Sequence, residues 1–459
     1  MFSRTTYQTR RRELAGQLSG GIAFFPGNRE VGINYKANAY RFRQDSFFLY
    51  YFGIDRAGVD ATIDLDTGEA TLYGEDATLG DLVWTGPQES LRELADRSGI
   101  EHVESPDQLP DYLDDGERLV HYLPPYHGNT RLRISNLLNL PDEALDDGVS
   151  EALTRAVVAQ RNIKTAEEIA EMERALLTTK AMHETVMRHA RPGMREAALA
   201  GMVRGIAMAG GGDTAYGIIL TKNGQTLHNH HHDNIIHEGD LILGDFGAET
   251  AMGYAADITR TFPVSPTFDS RQRAVYQAVL EAELNAIEAC RPGVAYRDVH
   301  RQAAQNMAER LRDLGLMRGN IEDAVAQGAH ALFFPHGLGH MIGLDVHDME
   351  GVGEDYVGYT KQIQRSEQFG TAFLRLGRKL EAGNVITVEP GLYFIPELID
   401  QWQGENKFSE YINYDALEQY RDFGGIRIED NVLITKDGHR VLGEPIARSV
   451  EEVEALRVG

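Results

Sequence analysis

Over the first 150 residues, helix-like stretches such as TRRRELAGQL alternate with short apolar runs, GIAFF, ATIDLD and EATLYG. That alternation predicts a small α/β domain. Around residue 140, LPDEALDDGVS combines proline, acids and glycine, a linker composition that puts the boundary between domains 1–150 and 151–459. A long amphipathic helical pattern then runs from Ala152 to Ala190, and Thr165 followed by Glu168 forms a capping box that starts a new helix. The pattern ends at ARPG (190–193), which CRPG repeats at 290–293, each followed by a second helix-like segment. Helix, Arg-Pro-Gly, helix occurring twice predicts that the C-terminal domain is an internal duplication whose halves face a pseudo-twofold crevice.

The apolar runs of this domain carry acids that a core does not accept alone. Asp245 ends LILGDFG and Asp257 lies in YAADITRTFPV, strand-like runs joined by AETAMG. They predict an antiparallel hairpin with both carboxylates on one face. Glu389 follows NVITV and is halted by Pro390 and Gly391, so it closes a buried strand. In GGIRIED the two-residue period puts Arg427 and Glu429 on one face, where Arg427 orients a carboxylate, holds substrate or forms a structural ion pair.

Three histidines, His336, His340 and His347, crowd into FFPHGLGHMIGLDVHD. Its glycines oppose a regular helix, so a zinc-binding pair at i, i+4 is the wrong template. One neutral imidazole there can bind a metal while the others donate to an oxyanion or position substrate. In TLHNHHH consecutive side chains alternate in direction, and His230, His231 and His232 read as loop.

Four carboxylates and an imidazole, Asp245, Asp257, Glu389, Glu429 and His340, repel one another on convergence unless cations fill the space between them. A dinuclear metal site is the reading. Oxygen donors with one nitrogen and no sulfur suit Mn2+ first, with Co2+, Zn2+ or Fe2+ also compatible. Water held between two such ions loses a proton near neutral pH, which points to hydrolysis.

Composition narrows the partners. At 459 residues with 42% hydrophobic and 25% charged residues, the chain has the balance of a globular protein of more than one domain. A formal charge of -25 repels phosphate backbones and anionic lipid, so nucleic acid and membrane surfaces are excluded as partners. The lone Cys290 allows no intrachain disulfide and reads as a packed apolar residue. Arg10, Arg11 and Arg12 precede an apolar run that is too short for an export signal and contains no cleavage pattern, which leads to a cytoplasmic expectation.

DITRTFPV, HGLGHMIGLDVHD, VEPGLY and GIRIEDNVLIT stand in the order typical of the methionine aminopeptidase and prolidase superfamily. RNIKTAEEIAEMERA resembles the opening of its catalytic domain, and together these motifs span roughly 160 to 440. YRFRQDSFFLYYFGI, at 40–54, resembles the N-terminal domain of the proline-specific members, which methionine aminopeptidases lack. The resemblance implies an α/β (α+β) chain: an N-terminal creatinase-like α/β domain followed by a pita-bread catalytic domain. It further implies that Asp245, Asp257, His340, Glu389 and Glu429 hold two divalent ions, with Glu389 also the acid/base group. His228, His336 and His347 would line the pocket and stabilise the tetrahedral intermediate, Arg427 would support the site, and Tyr216 would touch metal or substrate.

Two departures from the family pattern stand out. The gap from Asp245 to Asp257 is one residue longer than usual, which calls for a longer turn or a bulge. The segments after His347 and after Glu389 are also longer than in compact members, the second in the manner of prolidase. The resulting expectation is an Xaa-Pro aminopeptidase acting on peptides with proline second, assembled as a homodimer or homotetramer. Prolidase, restricted to Xaa-Pro dipeptides, is the nearest alternative. A non-catalytic protein-binding relative is the alternative of another class, and such relatives lose the carboxylates that this chain keeps.

Overall fold

The N-terminal arginines lie in a helix, Arg4–Ala15, capped by Ser3, and the chain then enters the strand Ile22–Pro26. Arg10 and Arg11 are buried, not solvated, because their guanidinium groups find carbonyls: Arg11 donates to Tyr51 at 2.8 Å and to Ser98 and Gly99 at 2.9 Å. GIAFF, ATIDLD and EATLYG all supply strands of one five-stranded mixed sheet. Its spatial order is His102–Glu104, Ala70–Tyr73, Asp60–Asp64, Ile22–Pro26, Val120–His121.

The structure is a computed structural model that describes residues 1–458 apart from 115 and 117. Two compact units emerge, one of residues 1–161 and 349–356, the other of residues 162–348 and 357–459. The helix Glu151–Arg161, which follows the acidic linker near 150, groups with the first unit, and its Leu153, Val157 and Val158 are buried. Among the described residues no helix is long and apolar enough to cross a membrane.

In the second unit the helix Ala166–His189 begins at the expected capping box, with Thr165 accepting from the Glu168 amide and Glu168 accepting in return. Its buried residues, among them Met172, Ala175, Leu176, Thr179, Met182, Val186, recur at three- and four-residue spacing. Burying one such leucine is worth roughly 1.5–3 kcal/mol.

The duplicated motif has a structural counterpart. Gly193, at φ +89°, donates its amide to Ile236 at 2.8 Å; Gly293, at φ +84°, donates to Leu380 at the same distance. Only a residue without Cβ takes that conformation at no steric cost. Isolated bridges follow in step, Arg195 with Ile235 and Ala295 with Lys379. After each comes a buried strand, Leu241–Asp245 or Val385–Val388, paired antiparallel with Thr259–Pro263 or Asp430–Ile434. Both halves thus deliver an acid at the end of the first strand, Asp245 in one and Glu389 just beyond the other.

Candidate metal centre

Backbone pairing brings the distant acids together. Asp245 ends its strand opposite Thr259, and Asp257 sits two residues before that partner strand, not within it. The hairpin expected from the sequence continues irregularly past Asp245: Phe246 donates to the Ile258 carbonyl at 3.2 Å, Ala256 to that of Ala248 at 2.9 Å, and Glu249 bridges Ala255, while Ala248–Glu249 also pairs with Asp213–Thr214 and Gly247 lies so close to Ala256 that an added Cβ would sit 1.8 Å from its carbonyl oxygen. Asp257 is held from elsewhere, its amide donating to Asn431 Oδ1 at 3.1 Å while Asn431 Nδ2 donates back to its carbonyl at 2.6 Å. Glu429 likewise falls at a joint between the strands Gly425–Arg427 and Asp430–Ile434, and its amide donates to Thr259 at 3.0 Å.

Asp257, His340 and Glu429 each present a ligand atom, and these atoms lie within 4.8 Å of one another. Tyr216 Oη ties in the fourth residue, donating to Asp245 Oδ1 at 2.8 Å and also contacting Asp257 Oδ1. Glu389 joins through His340, whose Nε2 is 3.6 Å from Glu389 Oε1 and 3.3 Å from Asp257 Oδ2. His340 Nδ1 donates to the Met341 carbonyl at 2.9 Å, so Nε2 faces the acids and in the neutral ring offers them a lone pair for a shared cation.

Electrostatics demand such a cation. Burial raises the pKa of Asp245 and pushes Glu389 up to about 7, and it drives Glu429 well above the carboxylate range with help from the charges of Asp257, Glu389 and Asp245. Glu429 Oε2 accepts from Thr259 Oγ1 at 2.7 Å, but Oε1 is buried with no hydrogen-bond partner among the described residues. An orphaned carboxylate oxygen aimed into a cluster of acids and one imidazole fits a divalent metal pair.

Arg427 supplies positive charge from behind. Its Nη2 donates to Asp245 Oδ2 at 2.5 Å, Nη1 to Tyr393 Oη at 2.7 Å and Nε to Thr259 Oγ1 at 3.2 Å. Tyr393 in turn donates to His336 Nε2 at 2.8 Å, since His336 Nδ1 is committed to the Gly337 carbonyl at 2.7 Å. Burial and Arg427 hold His336 down to about 3, so the ring is neutral and both its nitrogens are engaged within the protein. His347 lies against His340 with 4.1 Å between ring centroids. His228 stands on the cavity wall, its pKa lowered by desolvation and by Arg427.

One cavity of about 810 Å³ collects all of them: Tyr216, His228, Asp245, Asp257, His336, His340, His347, Glu389, Arg427 and Glu429 line it.

The chain matches the Metallopeptidase family M24 over residues 170–436 and the aminopeptidase P N-terminal domain over residues 7–118. It belongs to metallopeptidase family M24. It is 31% identical to the Xaa-Pro dipeptidase of Homo sapiens over 455 residues, 96% of this chain and 89% of the relative. To a probable Xaa-Pro aminopeptidase of Verticillium alfalfae it is 32% identical, over 90% of this chain and 87% of the relative. Among solved structures, the Pseudomonas aeruginosa aminopeptidase PepP superposes with a TM-score of 0.83 at 28% identity, covering 100% of this chain and 98% of that one.

In this M24 metallopeptidase several residues on or behind the cavity wall are not evident from the sequence. Tyr393 and Thr259 lie inside motifs already recognised, VEPGLY and DITRTFPV, yet only the fold reveals that they link His336, Arg427 and Glu429. His230, read as loop, also reaches the cavity, while His232 turns its Nδ1 to the Leu220 carbonyl. The two long segments also line the cavity: Phe369, Phe373 and Arg375 come from the first, Ile395, Glu397, Leu398 and Gln401 from the second. Cys290 is buried away from the site, its thiol donating to Ala286 and pushed up to about 12 by burial, which keeps it inert.

Proposed function

We propose that this chain is an Xaa-Pro aminopeptidase, hydrolysing the bond between an N-terminal residue and a following proline. The observation that carries this reading is the convergence of Asp245, Asp257, His340, Glu389 and Glu429 on one cavity. These five residues would hold two divalent cations, Mn2+ foremost, and the pair would supply Lewis acidity that activates water and polarises the scissile carbonyl. Glu389, buried on the cavity wall 3.6 Å from His340 Nε2, is placed to take a proton from water and pass it on. The acceptor is the proline nitrogen, which leaves as a secondary amine and must gain a proton. His347 and His228 line the cavity wall and would donate imidazole N–H groups to the oxygen that becomes negative. Arg427 opposes the rise that burial imposes on the Asp245 pKa and holds the carboxylate in place.

A cavity of about 810 Å³ with aromatic lining is ample for a peptide that continues past proline, which favours the aminopeptidase over a strict dipeptidase. Prolidase activity is the second reading, favoured by the likeness to the Xaa-Pro dipeptidase of Homo sapiens. A cytoplasmic homodimer or homotetramer belongs to the same proposal. Stripping the protein with a chelator, supplying Mn2+ and offering Ala-Pro and Ala-Pro-Ala tests it. Turnover of the tripeptide at least equal to that of the dipeptide supports the aminopeptidase, turnover of the dipeptide alone supports prolidase, and turnover of neither removes both.

A further inference from the structure

Behind the cavity lies an ion pair that catalysis as described does not use. Lys164 Nζ is 2.7 Å from Asp348 Oδ2, and both side chains are 1% exposed. Burying two charges costs several kcal/mol per ion before their attraction is counted, so such a pair is weak evidence for stability alone. Its surroundings suggest another purpose. Asp348 follows His347 directly, and its other oxygen accepts from the Asp345 amide at 3.3 Å while its own amide donates to Met341 at 3.0 Å. The pair therefore closes a loop that begins beside His340 and ends at His347.

Every other side of the loop is also clamped. Gly343 packs so tightly that an added Cβ would lie 2.8 Å from both Asp348 Oδ2 and Lys164 Cε. Its carbonyl accepts from the Ala255 amide at 2.8 Å, two residues before Asp257. Lys164 is itself fixed, its amide donating to Gly383 at 2.8 Å. The charge at Lys164 thus reaches the site from the start of the long helix, through the turn that sets where the His347 ring stands against His340.

We propose that Lys164 and Asp348 are positioning residues for His347, holding its imidazole in the orientation from which it donates to the substrate. This rests on the catalytic role given to His347 above. The test uses three variants, Asp348→Asn, Lys164→Met/Asp348→Leu and His347→Ala, with kcat and KM measured on Ala-Pro-Ala after Mn2+ loading. Asp348→Asn should lower kcat roughly 10- to 100-fold, since small displacements of catalytic groups carry penalties of that order. KM should move less than about threefold, the pattern of an interaction that matters in the transition state. The apolar pair should recover the melting temperature without recovering kcat. Combined with His347→Ala, the Asp348→Asn loss should shrink to under about twofold, because coupled residues are not additive.

A second readout needs no turnover: diethyl pyrocarbonate should modify His347 faster in both loop variants, scored by mass spectrometry. Recovery of kcat together with the melting temperature in the apolar pair, an undiminished Asp348→Asn loss in the His347→Ala background, or unchanged labelling of His347 would each overturn the proposal. Should the unaltered enzyme cleave no Xaa-Pro peptide, the proposed activity falls, and the labelling rate alone then decides the positioning role.

Discussion

Arg427 and Asp245, 182 residues apart in sequence, meet through a 2.5 Å contact between Nη2 and Oδ2, with side chains only 4% and 12% exposed. This pair decides whether Asp245 is a carboxylate. Burial raises its pKa and Arg427 opposes the rise. Replacing Arg427 with alanine leaves a buried acid without its partner and should cost about 3–5 kcal/mol of stability, against a much smaller change for Arg421, which is partly exposed at the surface. Arg427→Lys should recover only part of this, because an ammonium cannot serve Asp245, Tyr393 and Thr259 at once. Thermal unfolding of the three variants checks the order.

Metal removal should expose the strain among the acids. Glu389 rises from 4.5 to about 7 on burial, and Glu429 rises further. A raised carboxyl pKa means that the folded state holds more protons than the unfolded one, so its stabilising share is intact below pH 4.5 and is lost as the pH climbs through about 7. The gap in unfolding free energy between Mn2+-loaded and metal-free protein should therefore widen from pH 4.5 upward, at up to about 1.4 kcal/mol per pH unit for each group, with the gap in melting temperature widening in step. A gap independent of pH contradicts this.

Glu429→Gln should act in opposite directions on stability and catalysis. The amide keeps the shape and, unlike Glu429, need take up no proton on folding, so the metal-free protein should melt higher near neutral pH. Turnover with Mn2+ should fall by two or more orders of magnitude, a loss of about 2.7 kcal/mol or more in transition-state stabilisation. Calorimetry and a peptide assay on the same preparation separate the two effects.

Gly339→Ala should damage the site through the backbone. An added Cβ would stand 2.2 Å from the Thr387 carbonyl oxygen, and the neighbouring His340 takes its position from that strand, its amide donating to Thr387 Oγ1 at 3.0 Å. Overpacking of that kind typically costs about 1–3 kcal/mol. Weakened Mn2+ binding by calorimetric titration, alongside a lowered melting temperature, is the expected outcome.

The aromatic lining of the cavity should read the part of the peptide beyond proline. Phe369 and Phe373 line the cavity from the long segment after His347 and are 41% and 56% exposed. The double change Phe369→Ala/Phe373→Ala should raise KM for Ala-Pro-Ala roughly 5- to 150-fold, in line with roughly 1–3 kcal/mol for lost apolar contact. KM for Ala-Pro should hardly change. Steady-state kinetics on the two peptides checks it.

Much of this site was legible because each candidate ligand stands in its own local phrase. The strands ending at Asp245 and before Glu389 follow directly from apolar runs stopped by glycine or proline, and the helix start at Thr165 from its capping box. Asp257 was misplaced into a strand because what holds it is Asn431, 174 residues away, which no local pattern contains. For the same reason the burial of Arg10 and Arg11 was hidden: carbonyls of Tyr50, Tyr51, Ser98 and Gly99 accept from them, and the Tyr50 ring comes under the Arg10 guanidinium, only after folding. The long segments after His347 and Glu389 were visible as insertions, but that both line one cavity is a property of three-dimensional packing.

Stepwise addition of Mn2+ to chelator-treated protein, at concentrations above the dissociation constant and with Ala-Pro-Ala hydrolysis as the signal, tests the central claim most directly. Activity that rises until two equivalents per chain are bound, and is absent in Asp257→Asn, is the predicted result. Full activity without added metal, or activity retained in Asp257→Asn, would contradict it.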